Sequence, residues 1–179
     1  MTERLEAALA ELLDRQAITE VLYRYARACD RADELLLRSC FHPDSQHRHG
    51  PFEGTSTDFC TLALKIILAT RLEKHLVSNV MIELRGDVAF SECHYVAYHR
   101  QVNGRSGEEE DFFSGGRFLD RFERRDGEWR IAERVGLIDY ERFEPVTDRG
   151  LRKLAPEARS RRRPEDALYR LMPSLREDS

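Results

Sequence analysis

The spacing of hydrophobic residues changes near residue 74, and the change divides the chain into a helical part and a strand-rich part. Before that point, apolar side chains recur every three or four positions, which predicts helices over residues 4–29, 32–40 and 56–70. A short strand is expected over residues 45–50, between the second and third helices. The first part of the chain is therefore mainly helical.

From residue 75 onward the hydrophobic period is two, which predicts four long strands, over residues 75–84, 87–102, 111–125 and 128–141. Asp-Gly, a strong signal for a tight hairpin, separates the last two strands. Helices followed by an antiparallel meander are typical of an α+β fold. Because strands of this length must twist and coil, we expect a cone-shaped, curved antiparallel sheet wrapped around three N-terminal helices and enclosing a pocket. Residues 1–144 would form this domain.

The last part of the chain, residues 145–179, has a different composition. It holds nine Lys or Arg residues against six Asp or Glu residues, including a basic run from Arg159 to Arg163. One short helix is possible between Glu165 and Met172. No aromatic residues interleave with the arginines, as they do in many nucleic-acid sites. We therefore expect a charged tail that packs on its own or a neighbouring subunit.

Composition narrows the class of protein. The 179 residues are 41% hydrophobic and 35% charged, with a net charge of −4, which is typical of a soluble globular domain and gives no reason to expect a nucleic-acid partner. No apolar run is long enough to span a bilayer, and the first residues lack the core of a signal peptide. The four cysteines form no Cys-x-x-Cys pair. We expect a cytoplasmic protein with reduced thiols and no membrane partner.

Asp30 and His75 are the residues with the clearest chemical potential. Asp30 ends the first predicted helix, and His75 opens the first long strand. A carboxylate beside an imidazole fixes the ring tautomer and stabilises the imidazolium, which makes a general base without a metal or cofactor. Each residue also has a plain structural explanation. A lone histidine such as His75 is usually a hydrogen-bonded structural residue, and Asp30 suits the N-cap of a helix that begins near Ala32.

Other histidines are arranged in pairs on the predicted strands. His47 and His49 lie two positions apart and therefore share one face. His94 and Tyr98 share one face of the strand over residues 87–102, with Cys93 and His99 on the other, and a one-residue slip would exchange the two faces. A three-histidine metal site of His47, His49 and His94 matches no known spacing. We therefore expect no metal and no cofactor.

Several ordered segments resemble the SnoaL-like branch of the nuclear-transport-factor-2-like superfamily. Those segments are Asp14-Arg15-Gln16-Ala17-Ile18, Tyr25-Ala26-Arg27-Ala28-Cys29-Asp30, Cys40-Phe41-His42-Pro43-Asp44, His75-Leu76-Val77-Ser78-Asn79, Gly115-Gly116-Arg117-Phe118-Leu119-Asp120-Arg121-Phe122 and Arg125-Asp126-Gly127-Glu128-Trp129-Arg130-Ile131-Ala132. Together they span residues 14–141. The resemblance implies the α+β cone, a fold that hosts both enzymes and non-catalytic subunits.

Within that superfamily the sequence is similar to scytalone dehydratase, lindane dehydrochlorinase and the bile-acid dehydratases, which are cofactor-free lyases with a buried Asp–His pair. The resemblance implies catalytic roles for Asp30, His75 and Tyr25. It implies a substrate-binding set that faces the pocket, namely His47, His49, His94, Tyr98, Phe118 and Arg134. Arg134 matches a catalytic arginine, although a pair with a carboxylate across the sheet is an equal alternative. Gly116, Phe118 and Ile138 replace polar residues of these enzymes, so the substrate is expected to differ.

These observations lead to one principal hypothesis and two alternatives. The principal one is a cofactor-independent lyase that acts on a hydroxylated aromatic or polycyclic small molecule, by dehydration or by retro-aldol C–C cleavage. One alternative is a non-catalytic small subunit of an aromatic-ring-hydroxylating dioxygenase, and the other is a small-molecule binding protein. The outer face of a bent sheet usually needs cover, so we expect a homo-oligomer, and the resemblance allows either a dimer or a trimer.

Overall fold

The computed structural model describes residues 2–147 and 153–172, and three helices form its first layer. They are α1 (Thr2–Arg31), α2 (Glu34–Ser39) and α3 (Ser56–Ala69). The three predicted helices are thus confirmed, and α1 runs without a break. Asp33, not Asp30, caps α2, because its side chain accepts a hydrogen bond from the Leu36 N–H. The predicted capping role of Asp30 is therefore wrong.

Six strands form one curved sheet beneath the helices. They are β1 (Phe41–His49), β2 (Phe52–Thr55), β3 (Leu72–Arg85), β4 (Val88–Val102), β5 (Glu109–Arg125) and β6 (Glu128–Pro145). Their order across the sheet is β2-β1-β6-β5-β4-β3, and only the β1–β6 pair among these described strands is parallel. The α+β class is confirmed, whereas β2 escaped prediction because it is only four residues long.

The core lies between the inner face of the sheet and the C-terminal half of α1. This half of the helix supplies Ile18, Val21 and Leu22, each at most 1% exposed. The sheet supplies the apolar residues that pack against them, which include Ala89, Cys93, Phe118, Phe122 and Ile131. The first turns of α1 extend away from the core, since Leu5 and Leu12 are mostly exposed. The half of α1 that packs in the core is therefore the C-terminal half, which contains Asp30.

A bulge in β3 decides which residues of β3 face the core, whereas the faces of β4 alternate without a break. Next to the hairpin, Arg85 pairs with Val88 and Ile82 with Ser91, but beyond Asn79 the register shifts by one, so that His75 pairs with Ala97. Asn79 itself has a φ of +52°, which marks the irregular position. A bulge inserts one extra residue and reverses the alternation of faces along its strand. Without it, His75 would lie opposite Tyr98.

The described part of the C-terminal segment packs on the helical layer. It contains a 3-10 turn (Pro156–Ala158) and a short helix, α4 (Leu168–Leu171), which lies inside the segment predicted to be helical. Tyr169 is fully buried and donates a hydrogen bond to Asp33. The expected division at residue 144 falls at the end of β6. Within the described ranges, no helix is both long and apolar enough to cross a membrane.

Candidate active site

Asp30 lies in the last turn of α1, where the chain leaves the helix through an αL residue. Ala32 has a φ of +50°, its N–H donates to the Cys29 carbonyl, and the Asp33 N–H donates to the Ala28 carbonyl. This is the Schellman pattern. The negative end of a helix dipole is unfavourable for a carboxylate. Asp30 therefore needs partners outside the helix.

His75 supplies two of these partners. The Asp30 Oδ1 accepts hydrogen bonds from the His75 backbone N–H at 2.8 Å and from the His75 Nδ1 at 2.9 Å. The backbone N–H is free for this because β3 is an edge strand of the sheet. Lys74 Nζ lies 3.6 Å from Asp30 Oδ2. Since a carboxylate only accepts, Nδ1 of the neutral imidazole carries the proton and Nε2 keeps its lone pair.

A cavity of about 280 Å³ lies beside this pair, between α3 and the inner face of the sheet. Its wall is mostly apolar. Phe59, Ala63 and Ile67 line it from α3, and Tyr95, Ala97 and Phe118 line it from the sheet. A small apolar cavity with a few convergent polar groups is typical of a site for a small molecule.

Glu73 and His99 form a second carboxylate–imidazole contact in the same cavity. Glu73 lies two residues before His75 on the same face of β3, and it pairs directly with His99 on β4. The Glu73 Oε2 is 3.0 Å from the His99 Nδ1, and the Thr70 hydroxyl donates to the Glu73 Oε1 at 2.6 Å. The rings of His75 and His99 stand 5.3 Å apart at 82°. Burial by itself raises the pKa of Glu73, but the nearby His99 ring and the hydrogen bond from Thr70 lower it overall.

Neither Glu73 nor His99 was predicted as a site residue. The signal was present in the sequence, because Glu73-x-His75 places two polar side chains on one face of a strand. The alternation of β4 does not by itself fix which face carries His99, and the inward orientation of Glu73 and His75 depends on the β3 bulge, which the sequence pattern does not reveal. The residues that sequence reasoning missed are thus those whose neighbours are set by strand register.

Three further predicted residues line the cavity. Tyr25, His49 and Phe118 do so from α1, β1 and β5. Desolvation raises the pKa of Tyr25 well above its ordinary value, so its hydroxyl stays protonated. Desolvation, together with Arg134 and His75, lowers the pKa of His49 to about 4, so its ring is neutral near pH 7. Tyr25 and His49 therefore offer neutral hydrogen-bonding groups.

The expected positions of His94 and Tyr98 are wrong. His94 is exposed on the outer face of β4, and Tyr98 is on the same face, where its hydroxyl donates to Asp111 at 2.8 Å. The buried positions of β4 alternate without a break from Ala89 to Ala97, so its inner face carries Cys93, Tyr95, Ala97 and His99 instead. His94 and Tyr98 are therefore outside the cavity.

His47 also lies outside the cavity, in the core behind it. Its ring stacks on Phe59 with 3.5 Å between the ring centroids, and it is 2% exposed. Desolvation, with smaller contributions from Arg134 and His49, lowers the pKa of His47 to about 2. The expectation that His47 contacts substrate is wrong, because α3 covers this end of β1.

Arg134 is buried in a pair with Asp120 rather than exposed to the cavity. Its Nε and Nη2 each donate to a carboxylate oxygen of Asp120 at 2.7 Å, and both side chains are fully buried. The guanidinium carbon lies 4.3 Å from the ring centre of Tyr25 and 4.2 Å from that of Phe118. The expected position facing the pocket is therefore wrong. The alternative, a pair with a carboxylate across the sheet, is what the structure shows, with Asp120 on β5 and both partners in the core rather than at the surface.

This geometry defines what the site can do chemically. His75 presents a lone pair and Asp30 stabilises the charge that follows proton uptake. His99 and Tyr25 place two further proton-bearing groups around the same space. Glu73, His75 and His99 each offer one potential ligand atom, and these atoms all lie within 4.8 Å of one another. Among the described residues, these three could together hold a metal ion.

A known protein family matches most of the chain. The family described as the SnoaL-like domain matches residues 10–135, which include Asp30, Glu73, His75 and His99. No curated protein is significantly similar to the chain in sequence.

Solved structures share the fold at low sequence identity. A candidate scytalone dehydratase of Novosphingobium aromaticivorans is 23% identical with a TM-score of 0.67, covering 82% of this chain and 94% of its own. The hexachlorocyclohexane dehydrochlorinase LinA-type3 of Novosphingobium barchaimii is 18% identical with a TM-score of 0.67, covering 83% and 99%. A protein of N. aromaticivorans described as NTF2-like with a cystatin-like fold is 24% identical with a TM-score of 0.62, covering 78% and 90%. The likeness at these identities concerns the fold.

Proposed function

Because the chain belongs to the SnoaL-like domain family, we propose that it is a lyase that uses its own side chains, without a cofactor, on a hydroxylated aromatic or polycyclic small molecule. The observation that carries the proposal is the hydrogen bond of 2.9 Å between Asp30 and His75 at the wall of an apolar cavity. Solved proteins of the same fold include a dehydrochlorinase and a candidate dehydratase. This similarity supports elimination chemistry.

In the proposed reaction His75 is the general base. Its Nε2 takes a proton from a carbon next to a carbonyl or aryl group, and the electron pair of that C–H bond forms a C=C bond. The C–O bond of a neighbouring hydroxyl breaks as its oxygen takes a proton, and water leaves. If Nε2 instead takes the proton of a substrate hydroxyl, the O–H electron pair forms a C=O bond and the adjacent C–C bond breaks in the retro-aldol direction. The electron pair of the broken bond leaves as an enolate, which then takes a proton.

His99 is the residue to which we assign proton delivery. Its ring is 5.3 Å from that of His75, so a single small substrate can contact both. Glu73 stabilises a positive charge on His99 in the way that Asp30 does for His75. Tyr25 donates a hydrogen bond to the developing negative charge on the carbonyl oxygen. Neutral His49 and the ring of Phe118 orient the aromatic part.

The cavity also separates this proposal from the non-catalytic alternative. A subunit that only supports a larger partner has no need of two buried carboxylate–imidazole contacts beside an apolar hollow, because burying polar groups costs free energy.

A homo-oligomer remains part of the proposal. The outer face of the sheet exposes apolar side chains that a second copy would cover, namely Leu76, Met81, Phe90 and Val96.

Substitution of His75 and Asp30 tests the proposal. With a panel of β-hydroxy ketones on aromatic or polycyclic rings, elimination is followed by the rise in absorbance of the conjugated product, and proton abstraction by deuterium uptake from D₂O. One positioned acid–base group contributes about 10²–10⁴ in rate, so His75→Ala and Asp30→Asn should each lose turnover by at least about 100-fold. Near-normal exchange and turnover in His75→Ala would contradict the mechanism.

His94→Ala is the matched control. It removes an imidazole from the adjacent strand, but from the exposed outer face. Its turnover should equal that of the unmodified protein. Circular dichroism of all three variants establishes that the fold is retained, which separates loss of chemistry from loss of structure.

A further inference from the structure

Glu73, His75 and His99 bring three potential metal ligands together on two neighbouring strands. Glu73 and His75 occupy alternate positions of β3, and His99 lies directly opposite Glu73 on β4. One ligand atom from each lies within 4.8 Å of the others. Two imidazoles and one carboxylate are a common donor set for Zn²⁺ in proteins, where a fourth position is left open to a small molecule.

Two of the three ligand atoms lack a hydrogen-bond partner among the described residues. The Glu73 Oε2 and the His99 Nδ1 are both buried, and neither has a hydrogen-bond partner within the described ranges although the two atoms are 3.0 Å apart. Glu73 is 6% exposed as a whole residue. Buried polar atoms are normally paired. A cation placed between these two atoms would accept electron density from both, so that neither would remain a buried polar atom without a partner.

The groups behind the ligands are also arranged as they are around metal sites. Asp30 accepts from the His75 Nδ1, which leaves Nε2 available as the ligand atom. The Thr70 hydroxyl holds the other oxygen of Glu73 at 2.6 Å. Ligating histidines commonly donate their second ring nitrogen to a carboxylate, and ligating carboxylates are hydrogen-bonded in turn.

We propose that Glu73, His75 and His99 form a binding site for a divalent transition-metal ion such as Zn²⁺, and that an ion bound there blocks proton transfer by His75. Zinc bonds of about 2.0–2.2 Å place neighbouring ligand atoms roughly 3.4 Å apart. The ligand atoms lie within 4.8 Å of one another, so the widest pair must close by up to about 1.4 Å through side-chain rotation. The bound ion occupies the Nε2 lone pair. The blocking part of this proposal rests on the proposed lyase function, whereas the binding part does not.

Calorimetric titration of the chelator-treated full chain with Zn²⁺, without any substrate, tests the binding part. We expect one equivalent to bind. Glu73→Gln and His99→Gln each remove a ligand and should weaken binding by at least about 100-fold. Asp30→Asn alters only the hydrogen-bond partner of a ligand and should weaken binding by about 10-fold. His94→Ala and Cys29→Ser are controls that keep full affinity, because His94 is on the outer face and Cys29 contributes no ligand to the cluster.

The possible results are distinct. The absence of stoichiometric binding, or equal affinity in Glu73→Gln and His99→Gln, would overturn the site, and so would a loss confined to Cys29→Ser. Deuterium exchange at the substrate carbon tests the blocking part, since it should fall in proportion to zinc occupancy and return when chelator is added. Unchanged exchange at full occupancy would overturn that part. Exchange that persists in His75→Ala without metal would instead refute the lyase function and leave the binding result intact.

Discussion

At the scale of single residues, two histidines show how surroundings determine chemistry. His75 has Asp30 against Nδ1 and keeps a usable lone pair at the cavity. His47 is stacked on Phe59, and neither of its ring nitrogens has a hydrogen-bond partner within the described part of the chain. Desolvation lowers the pKa of His47 to about 2. The first histidine is suited to accept a proton, and the second is a neutral aromatic core residue.

The buried state of His47 predicts an acid-sensitive fold. Above pH 6.5 the ring is neutral in both the folded and the unfolded chain. Between pH 6.5 and about 2 only the unfolded chain binds the proton, so the free energy of unfolding decreases as the pH falls. His47→Phe removes this proton uptake. Between pH 7 and 5 the variant should lose less unfolding free energy than the unmodified protein, by on the order of 2 kcal/mol.

Urea unfolding at pH 7 and pH 5 measures this difference, and the comparison within each protein cancels any change in packing. His49, whose pKa is lowered to about 4, contributes in the same direction and is present in both proteins. Exposed His94 provides the control, because His94→Ala should leave the pH dependence unchanged. An equal decrease in His47→Phe and the unmodified protein would refute the argument.

At the scale of elements, periodicity predicted the helices and the four long strands, but local irregularities in the strands decided the site. Asp30 and His75 were identified because both lie at the ends of strongly periodic segments. His94 and Tyr98 were assigned to the wrong face because the alternation of β4 by itself fits either face. The bulge at Asn79 reverses the alternation of β3 and turns His75 inward. A bulge adds a single residue and changes no hydrophobic period, so one sequence without homologues carries little sign of it.

A second irregularity, between Gly115 and Gly116 of β5, has a consequence for stability. A Cβ on Gly116 would lie 1.9 Å from the Leu137 carbonyl oxygen on β6. Backbone atoms in the middle of a sheet cannot move aside easily, so Gly116→Ala should destabilise the protein by at least about 3 kcal/mol. Gly104→Ala is the control, since nothing lies within 4 Å of its Cβ position. Thermal unfolding compares the two, and similar midpoints would contradict the close approach.

At the scale of the whole molecule, the C-terminal segment is attached to the elements that carry the site. The Arg162 side chain donates to the Thr70 carbonyl at the end of α3, and Thr70 in turn holds Glu73. Tyr169 donates to Asp33 at 3.2 Å, three residues after Asp30. The sequence predicted a charged tail, but charge composition alone does not specify where such a segment docks. In the structure the segment forms hydrogen bonds with the residues that follow α1 and α3, beside the cavity.

Removal of the Tyr169 side chain should therefore destabilise the whole domain. Its ring is fully buried, and truncation of a buried aromatic side chain to alanine costs about 3–5 kcal/mol. Tyr169→Phe, which removes only the hydrogen bond to Asp33, should cost about 1 kcal/mol. Tyr23→Ala is the control, because Tyr23 is 52% exposed. The midpoints of thermal unfolding of the three variants rank their stabilities. If Tyr169→Ala unfolded at the same temperature as Tyr23→Ala, the segment would be a solvated appendage, and the cavity would owe its shape to the sheet and the first three helices alone.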